Sequence, residues 1–206
     1  YDFFFIDEDQ LAVVMADVSG KGVPAALFMV IAKTLIKNYA QMGHDPEDVF
    51  THVNGQLCEN NDAGMFVTAW MGVLQISTGR FTYVNAGHNS PLLRRKGEAF
   101  EYLKSKPGFV LAGMEGMVFK QAETRLVEGD ELYLYTDGVT EATDAGGHLY
   151  GDDRLLDVIN IHKDERLDRL LPLIKMDIDS FVKQAPQFDD ITMLGLKLNE
   201  SGGLGS

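Results

Sequence analysis

The chain has 206 residues, of which 45% are hydrophobic and 24% are charged, a composition typical of a globular domain that buries roughly 70% of its unfolded surface. Its 31 acidic residues outnumber its 18 basic ones, giving a formal net charge of −13, which excludes a nucleic-acid backbone as the expected partner. The single cysteine excludes an internal disulfide, and neither a signal segment nor a membrane span of roughly 20 uninterrupted apolar residues is evident. We therefore expect one domain and a cytoplasmic location.

The first third of the chain predicts a hairpin followed by two helices. Apolar runs over residues 3–6 and 11–16 flank a short polar turn, and Asp17 follows the second run at the predicted strand end. Apolar residues at helical spacing predict a helix over 25–39, with a proline in its first turn. An Asp-Pro pair predicts the start of a second helix over 46–58.

The remainder predicts mainly antiparallel strands and then two more helices. Glycine-containing turns divide the region from 65 to 126 into a run of antiparallel hairpins. Its predicted strands are 65–76, 80–85, 91–95, 99–103 and 119–126. A strand over 132–135, helices over 152–161 and 167–183, and a last strand over 191–198 follow. Grouped strands and grouped helices favour an α+β layered sandwich over a doubly wound parallel sheet.

Three short acidic segments lie beside predicted strands and contain Asp17, Asp137 and the pair Asp189 and Asp190. Each segment alone is typical of a turn. Carboxylate oxygens suit hard divalent ions, and several that converge are costly unless cations neutralise them. Because a layered sheet brings strand ends to one edge, the three segments together predict one metal site. Two ions there would favour metal-assisted phosphoester hydrolysis.

Four segments together resemble the SpoIIE-type bacterial branch of the metal-dependent 2C-type (PPM) serine/threonine phosphatases. They are residues 17–26 (DVSGKGVPAA), 85–91 (NAGHNSP), 135–142 (YTDGVTEA) and 189–192 (DDIT). They occur in the order of the family's motifs, and the resemblance covers nearly the whole chain. It implies an αββα sandwich of two antiparallel sheets flanked by helices.

The resemblance also implies a dinuclear manganese or magnesium centre at one edge of that sandwich. By analogy Asp17 bridges both ions, the carbonyl of Val18 assists, and Asp137 and Asp189 complete the site. Asp190 is the alternative to Asp189, which matches the first residue of the family's acidic pair. The catalytic residues implied are Asp17, Asp137 and Asp189.

The family's opening motif is Gly-Gly-Asp-aromatic-Tyr-Asp, and this sequence begins at the last two residues of that motif, Tyr1 and Asp2. We therefore expect a phosphatase domain over 1–199 that is cut at its amino-terminal edge, with impaired activity, and a flexible tail over 200–206. An upstream sensor domain is expected in the parent protein, and a homodimer is one expected state.

Members of this branch typically dephosphorylate a serine or threonine on a STAS-type anti-sigma factor antagonist and so control sigma-factor release by partner switching. That substrate is the leading expectation. Two alternatives stay open: a phosphatase-like binding module without turnover, and a metal phosphoesterase for a small nucleotide. Only Lys21 adds positive charge near the motifs, which does not favour a polyphosphate pocket.

Other residues are expected only to build or cover the fold. Asn85, Gly87 and His88 would order a turn between two core strands, and Cys58 would be a buried, inert thiol. The aromatic residues expected in the sheet core are Phe3, Phe4, Phe5, Phe66, Trp70 and Phe81. The remaining histidines (His44, His52, His148 and His162) and acids such as Glu98, Glu101, Glu128 and Glu131 are expected on the solvated surface.

Overall fold

The computed structural model describes residues 1–59, 61–105, 108–187 and 189–199; the expected tail over 200–206 lies outside them. In chain order the described elements are β1 (Asp2–Phe5), β2 (Gln10–Val18), α1 (Val23–Gln41), α2 (Pro46–Cys58), β3 (Val67–Gln75), β4 (Arg80–Ala86), β5 (Leu92–Arg94), β6 (Phe100–Tyr102), β7 (Ala122–Arg125), β8 (Glu131–Tyr135), α3 (Asp152–Ile161), α4 (Leu167–Val182) and β9 (Met193–Lys197). The chain divides into two compact units, one formed by 1–88 with 104–126 and the other by 89–103 with the segment from 127 onward. Each unit contains one antiparallel sheet and two helices, so the predicted α+β class is confirmed.

The first unit is built on a five-stranded sheet in the order β1-β2-β3-β4-β7. Strand β2 pairs with β3 along its whole length, from Gln10 opposite Gln75 to Val18 opposite Val67. Residues 12–15 of β2 are all buried, because this strand lies inside the sheet and contributes side chains to both of its faces. The position of Asp17 near the end of β2 is therefore fixed by sheet register.

Helix α1 packs against this sheet through residues at helical spacing, among them Phe28, Ala32 and Ile36, which are at most 8% exposed. With 19 mostly apolar residues, α1 would suffice for a membrane span by length and composition alone. A core helix of a soluble protein meets the same test, and the buried face of α1 belongs to the core cluster of the first unit.

The second unit is built on a four-stranded sheet in the order β6-β5-β8-β9. All five residues of β8 are buried, as expected for a strand with a neighbour on each side and a covered face. Helix α4 directs Leu170, Ile174 and Ile178 into the core at intervals of four residues. Strands β8 and β9 flank the segments that contain Asp137 and Asp189.

The predicted run of hairpins between 65 and 126 is only partly correct. Strands β3 and β4 form a hairpin in the first sheet, and β5 and β6 form a hairpin in the second sheet. Strand β7 then returns to the first sheet and pairs with β4. Local patterns of apolar residues and turns specify each hairpin, but which sheet a strand joins depends on contacts distant in sequence.

Three of the six aromatic residues predicted for the sheet core are exposed instead: Phe3 by 60%, Phe5 by 58% and Phe66 by 40%. The other three (Phe4, Trp70 and Phe81) are buried. Strand β1 is an edge strand, and only Phe4 of its three phenylalanines points to the core, because successive side chains alternate between the two faces of a sheet.

The prediction that Glu131 is a solvated surface acid is also wrong, since the residue is only 2% exposed. Glu131 on β8 lies opposite Arg94 on β5 and Lys197 on β9. Its carboxylate accepts hydrogen bonds from Arg94 Nη1 at 3.2 Å and Lys197 Nζ at 2.7 Å. Two cross-strand cations thus offset the cost of burying this charge.

Cys58 is half-buried rather than fully buried. Desolvation, followed by the negative charge of Glu115, raises the pKa of its thiol. A raised pKa means less thiolate at neutral pH, which agrees with the prediction of an unreactive cysteine.

Candidate metal centre

Asp17 is the penultimate residue of β2 and lies opposite Thr68 of β3. The hydroxyl of Thr68 is 3.5 Å from the backbone carbonyl of Asp17 and 3.0 Å from Nδ1 of His88. The side-chain amide of Asn85 donates to the carbonyl of His88, and its oxygen accepts from the N–H of His88. These two bonds confirm the predicted Asn85–His88 turn, and Thr68 links that turn to the strand that carries Asp17.

The segment after Asp17 is fixed at one point and then turns sharply. Ser19 exchanges two hydrogen bonds with Phe66: its N–H donates to the Phe66 carbonyl, and its Oγ accepts from the Phe66 N–H. Gly20 and Gly22 follow with φ of 87° and 82°, a region that favours glycine. Gly22 is the N-cap of α1, so these two glycines let the chain leave β2 and enter the helix within four residues.

Asp137 lies two residues after the end of β8, and a threonine hydroxyl ties its segment to the segment that precedes β9. Thr136 Oγ1 donates to the carbonyl of Asp190 at 3.1 Å and accepts from the N–H of Thr192 at 3.1 Å. A backbone bond from Thr136 N–H to the Thr192 carbonyl adds a third link. The loop containing Asp137 and the loop containing Asp189 are therefore held together by contacts made within three residues of each aspartate.

Gly138 makes this close approach sterically possible. A Cβ atom at this position would lie 2.3 Å from the carbonyl oxygen of Asp190 and 2.9 Å from its carbonyl carbon. Real side chains do not approach a backbone atom this closely, so residue 138 must be glycine for the two loops to keep this spacing.

The second unit brings the carboxylates of Asp137 and Asp189 together, with ligand oxygens within 4.8 Å of each other. Oδ1 of Asp137 is buried and has no hydrogen-bond partner among the described residues. Desolvation, followed by the charges of Asp137 and then Asp189, raises the pKa of the nearby Glu141 carboxyl. Two adjacent acids and a buried oxygen without a donor fit a hard divalent cation, which would supply the missing positive charge.

The structure also separates the roles of Asp189 and Asp190. Asp189 is half-buried and directs its carboxylate towards Asp137, whereas Asp190 is exposed and contributes its backbone carbonyl to the Thr136 contact. The other two predicted ligand positions, Asp17 and Val18, lie at the end of β2 in the first unit.

Two residues beside these aspartates, Thr136 and Glu141, were not predicted to shape the site, whereas Gly138 was expected to allow a close backbone approach and does so. Both unpredicted residues lie in the segment 135–142 that carried the resemblance. The sequence signal was therefore present, but their contacts with the loop at 189–192 depend on the pairing of β8 with β9.

A family model described as Stage II sporulation protein E (SpoIIE) matches residues 7–199. Among curated proteins, the chain is 32% identical over 200 residues to phosphoserine phosphatase RsbU of Bacillus subtilis, a match covering 96% of this chain and 58% of RsbU. It is 29% identical over 226 residues to protein IcfG of Synechocystis sp., a match covering 97% of this chain and 35% of IcfG. The chain thus spans between about a third and three fifths of the length of these relatives.

Solved structures show the same fold. The SiaA-PP2C domain of Pseudomonas aeruginosa superposes with a TM-score of 0.81 at 21% identity, covering 94% of this chain and 78% of that one. The RsbU and RsbW domains of Rv1364c from Mycobacterium tuberculosis superpose with a TM-score of 0.79 at 24% identity, covering 96% of this chain and 54% of that one. RsbX in complex with magnesium superposes with a TM-score of 0.67 at 20% identity, covering 94% of this chain and 85% of that one. The predicted PPM phosphatase-like fold is therefore confirmed.

Proposed function

The chain belongs to the Stage II sporulation protein E (SpoIIE) family, and we propose from this premise that it is a metal-dependent phosphoprotein phosphatase acting on phosphoserine or phosphothreonine. The observation that carries the proposal is the pairing of Asp137 with Asp189, together with the buried, unpartnered Oδ1 of Asp137. No lysine, arginine or histidine forms an ion pair with either carboxylate within the described ranges. A centre of this kind requires cations from outside the chain.

We propose that the centre holds two Mn²⁺ or Mg²⁺ ions through Asp137, Asp189, Asp17 and the carbonyl of Val18. Asp190 has the weaker claim, because its carboxylate is exposed while its carbonyl is already engaged by Thr136. Bound divalent ions would supply an activated water and hold the phosphoryl group for in-line attack. Family membership supports the contribution of Asp17 and Val18, and the magnesium complex of RsbX supports the type of ion.

The contribution of the protein itself is to place and shield its carboxylates. Thr136 and Gly138 keep the Asp137 loop against the backbone of Asp190, so the backbone segments that carry the two acids are held at a fixed spacing. Glu141, whose N–H donates to the Asp137 carbonyl at 2.7 Å, adds a further negative charge beside them. Such preorganisation lets the site bind cations with little rearrangement.

The substrate we propose is a phosphorylated STAS-type protein, an antagonist of an anti-sigma factor in a partner-switching pathway. RsbU is named a phosphoserine phosphatase, and RsbU and RsbW domains occur together in Rv1364c. We also propose that the parent protein carries an upstream regulatory or sensor domain. The match covers only 35% of IcfG and 58% of RsbU, which supports this proposal. The homodimer and the cytoplasmic location stay predictions.

The test is hydrolysis of para-nitrophenyl phosphate and of a phosphoserine peptide with Mn²⁺, with Mg²⁺ and with a chelator. Metal-dependent turnover that is lost with Asp137→Asn and kept with Asp157→Asn supports the proposal, since Asp157 is an exposed acid of α3 in the same unit. Metal binding without turnover of either substrate would favour the binding module instead.

A further inference from the structure

A cavity of about 170 Å³ lies directly beside Asp189 in the second unit. It is bounded by the last turn of α4, by residues 185–187, and by Gly138, Ala142 and Thr143 of the Asp137 loop. One water needs only about 10–15 Å³, so the cavity has room for a side chain or a short stretch of polypeptide. Polar and apolar groups share its lining.

Of the charged residues that line the cavity, Lys183 is the one without an ion-pair partner in the described part of the chain or a proposed metal ligand role. Asp179 forms an ion pair with Lys175, which lies one turn earlier in α4. Asp189 is a proposed ligand of the metal centre. Lys183 also lines the cavity and is exposed, and it forms no ion pair within the described residues. The cavity therefore presents one lysine without an ion-pair partner among the described residues, on a protein whose formal net charge is −13.

The backbone of Lys183 is unusual in a way that points to its side chain. Its φ is 55° and its ψ is −107° at the C-cap of α4, a conformation that favours glycine and is strained for a lysine. Nothing about the turn itself requires a side chain at this position. A lysine held in a strained conformation at the rim of a cavity next to a catalytic centre is a candidate for substrate contact.

We propose that this cavity binds the polypeptide flanking the phosphorylated residue of the substrate, and that Lys183 pairs with an acidic side chain of that segment. The inference rests on the proposed function, because the position of Asp189 is what makes the cavity adjacent to the reacting phosphate. Lys183 is thus a specificity-determining residue, and the part of the substrate it reads is an acidic flank rather than the phosphate.

The test compares phosphoserine peptides that carry a single Glu at each position from three before to three after the phosphoserine with a peptide that has neutral flanks. We expect one or more Glu positions to lower KM about fivefold in the wild type, as one partly exposed ion pair would. Lys183→Ala should abolish this preference, Lys183→Glu should reverse it, and Lys183→Arg should keep it. The kcat and the hydrolysis of para-nitrophenyl phosphate should not change.

The matched control is Arg169→Ala, which removes one exposed positive charge from the first turn of the same helix, about 21 Å along its axis from Lys183. It should leave the peptide preference intact. A lysine that only stabilises the C-terminus of α4 would affect the melting temperature but not the preference. Equal changes in KM for all substrates, including para-nitrophenyl phosphate, would overturn the proposal, as would a preference that persists in Lys183→Ala.

Binding of fluorescein-labelled, unphosphorylated peptides separates this inference from the proposed function, because it requires no turnover. Fluorescence anisotropy should show about fivefold weaker binding of the preferred acidic peptide to Lys183→Ala than to the wild type. Binding that depends on Lys183 without any turnover would refute the phosphatase assignment alone. If turnover is normal but neither peptide binding nor the preference for acidic flanks changes in Lys183→Ala, this inference alone would be refuted.

Discussion

The two units hold their candidate metal ligands by different means. Asp17 lies within a nine-residue strand whose every residue has a partner in β3. Asp137 and Asp189 instead lie in loops, one after β8 and one before β9, that are joined by Thr136 and by the close packing of Gly138. The position of a ligand in a strand depends on many weak contacts, whereas that of a ligand in a loop depends on a few specific ones.

Glycines in the two regions serve different physical needs. Gly20 and Gly22 have positive φ, and a Cβ on either would meet open space. Gly138 is absent from the positive-φ residues, yet a Cβ there would overlap the carbonyl of Asp190. The first region needs glycine for backbone conformation, and the second needs it for space.

The largest expected effect is on catalysis, with Asp137→Asn. Removing one carboxylate should lower kcat/KM by about 10²- to 10³-fold, because a metal centre contributes several kcal/mol of charge stabilisation. The loop contacts of Asp137 use its backbone carbonyl, and one fewer charge relieves repulsion in the metal-free protein. Stability measured by urea denaturation in chelator should therefore be unchanged or higher. A large loss of stability would mean that the carboxylate itself holds the loop.

The contrast between glycines is tested by Gly138→Ala against Gly20→Ala. We expect Gly138→Ala to lower the free energy of unfolding by about 1–3 kcal/mol, because the new methyl group must displace the Asp190 backbone. It should also weaken metal binding measured by calorimetry, since the same movement shifts Asp189. Gly20→Ala should cost about 1–2 kcal/mol through backbone strain alone. Equal losses of metal affinity in both variants would remove the distinction between the two regions.

The contrast between contacts is tested by Thr136→Val against Thr68→Val. The first variant removes a hydroxyl that satisfies both the Asp190 carbonyl and the Thr192 N–H, so we expect a loss of about 1–2 kcal/mol in denaturant unfolding. The second removes a 3.0 Å bond to His88 and a long 3.5 Å contact to the Asp17 carbonyl. Since β2 remains paired with β3, we expect Thr68→Val to lower the free energy of unfolding by only about 0.5–1 kcal/mol. A larger effect at Thr68 would contradict the view that the strand holds Asp17.

The same contrast explains what the sequence could predict. Helix α3 matches its predicted range at both ends, and α2 begins at the proline that follows the predicted capping position, because both are specified by local periodicity and end signals. The placement of Asp17 at the end of a strand is equally local. The clustering of Asp137 with Asp189 was predicted from their positions beside strands and by resemblance, not from any local pattern.

What the sequence did not predict depends on neighbours distant in the chain. Glu131 was assigned to the surface because its two cations come from strands that begin 39 residues before it and 62 residues after it. The exposure of Phe3 and Phe5 follows from β1 being an edge strand, which no local pattern reveals. The role of Thr136 arises only when the loop at 189–192 is brought against it.

The smallest expected effect concerns a carboxylate that supports the second unit away from the centre. Asp177 on α4 accepts hydrogen bonds from Arg154 at 3.0 and 3.2 Å and from the Tyr150 hydroxyl at 2.8 Å. Arg154 and then Tyr150 hold the pKa of Asp177 below its ordinary value. A lowered pKa stabilises the folded state at pH values above the ordinary value near 4, and this contribution is lost as the pH falls through the folded-state pKa.

Asp177→Asn should accordingly destabilise the protein by up to about 1 kcal/mol at pH 7, a small value because the pair is partly exposed and screened by solvent. The difference from the wild type should shrink as the pH falls below about 4, where the wild-type carboxyl also becomes neutral. Denaturant unfolding of both proteins in chelator, between pH 3 and pH 7, measures this difference in stability. A difference that does not vary with pH would show that Asp177 acts through packing and hydrogen bonds rather than through its charge.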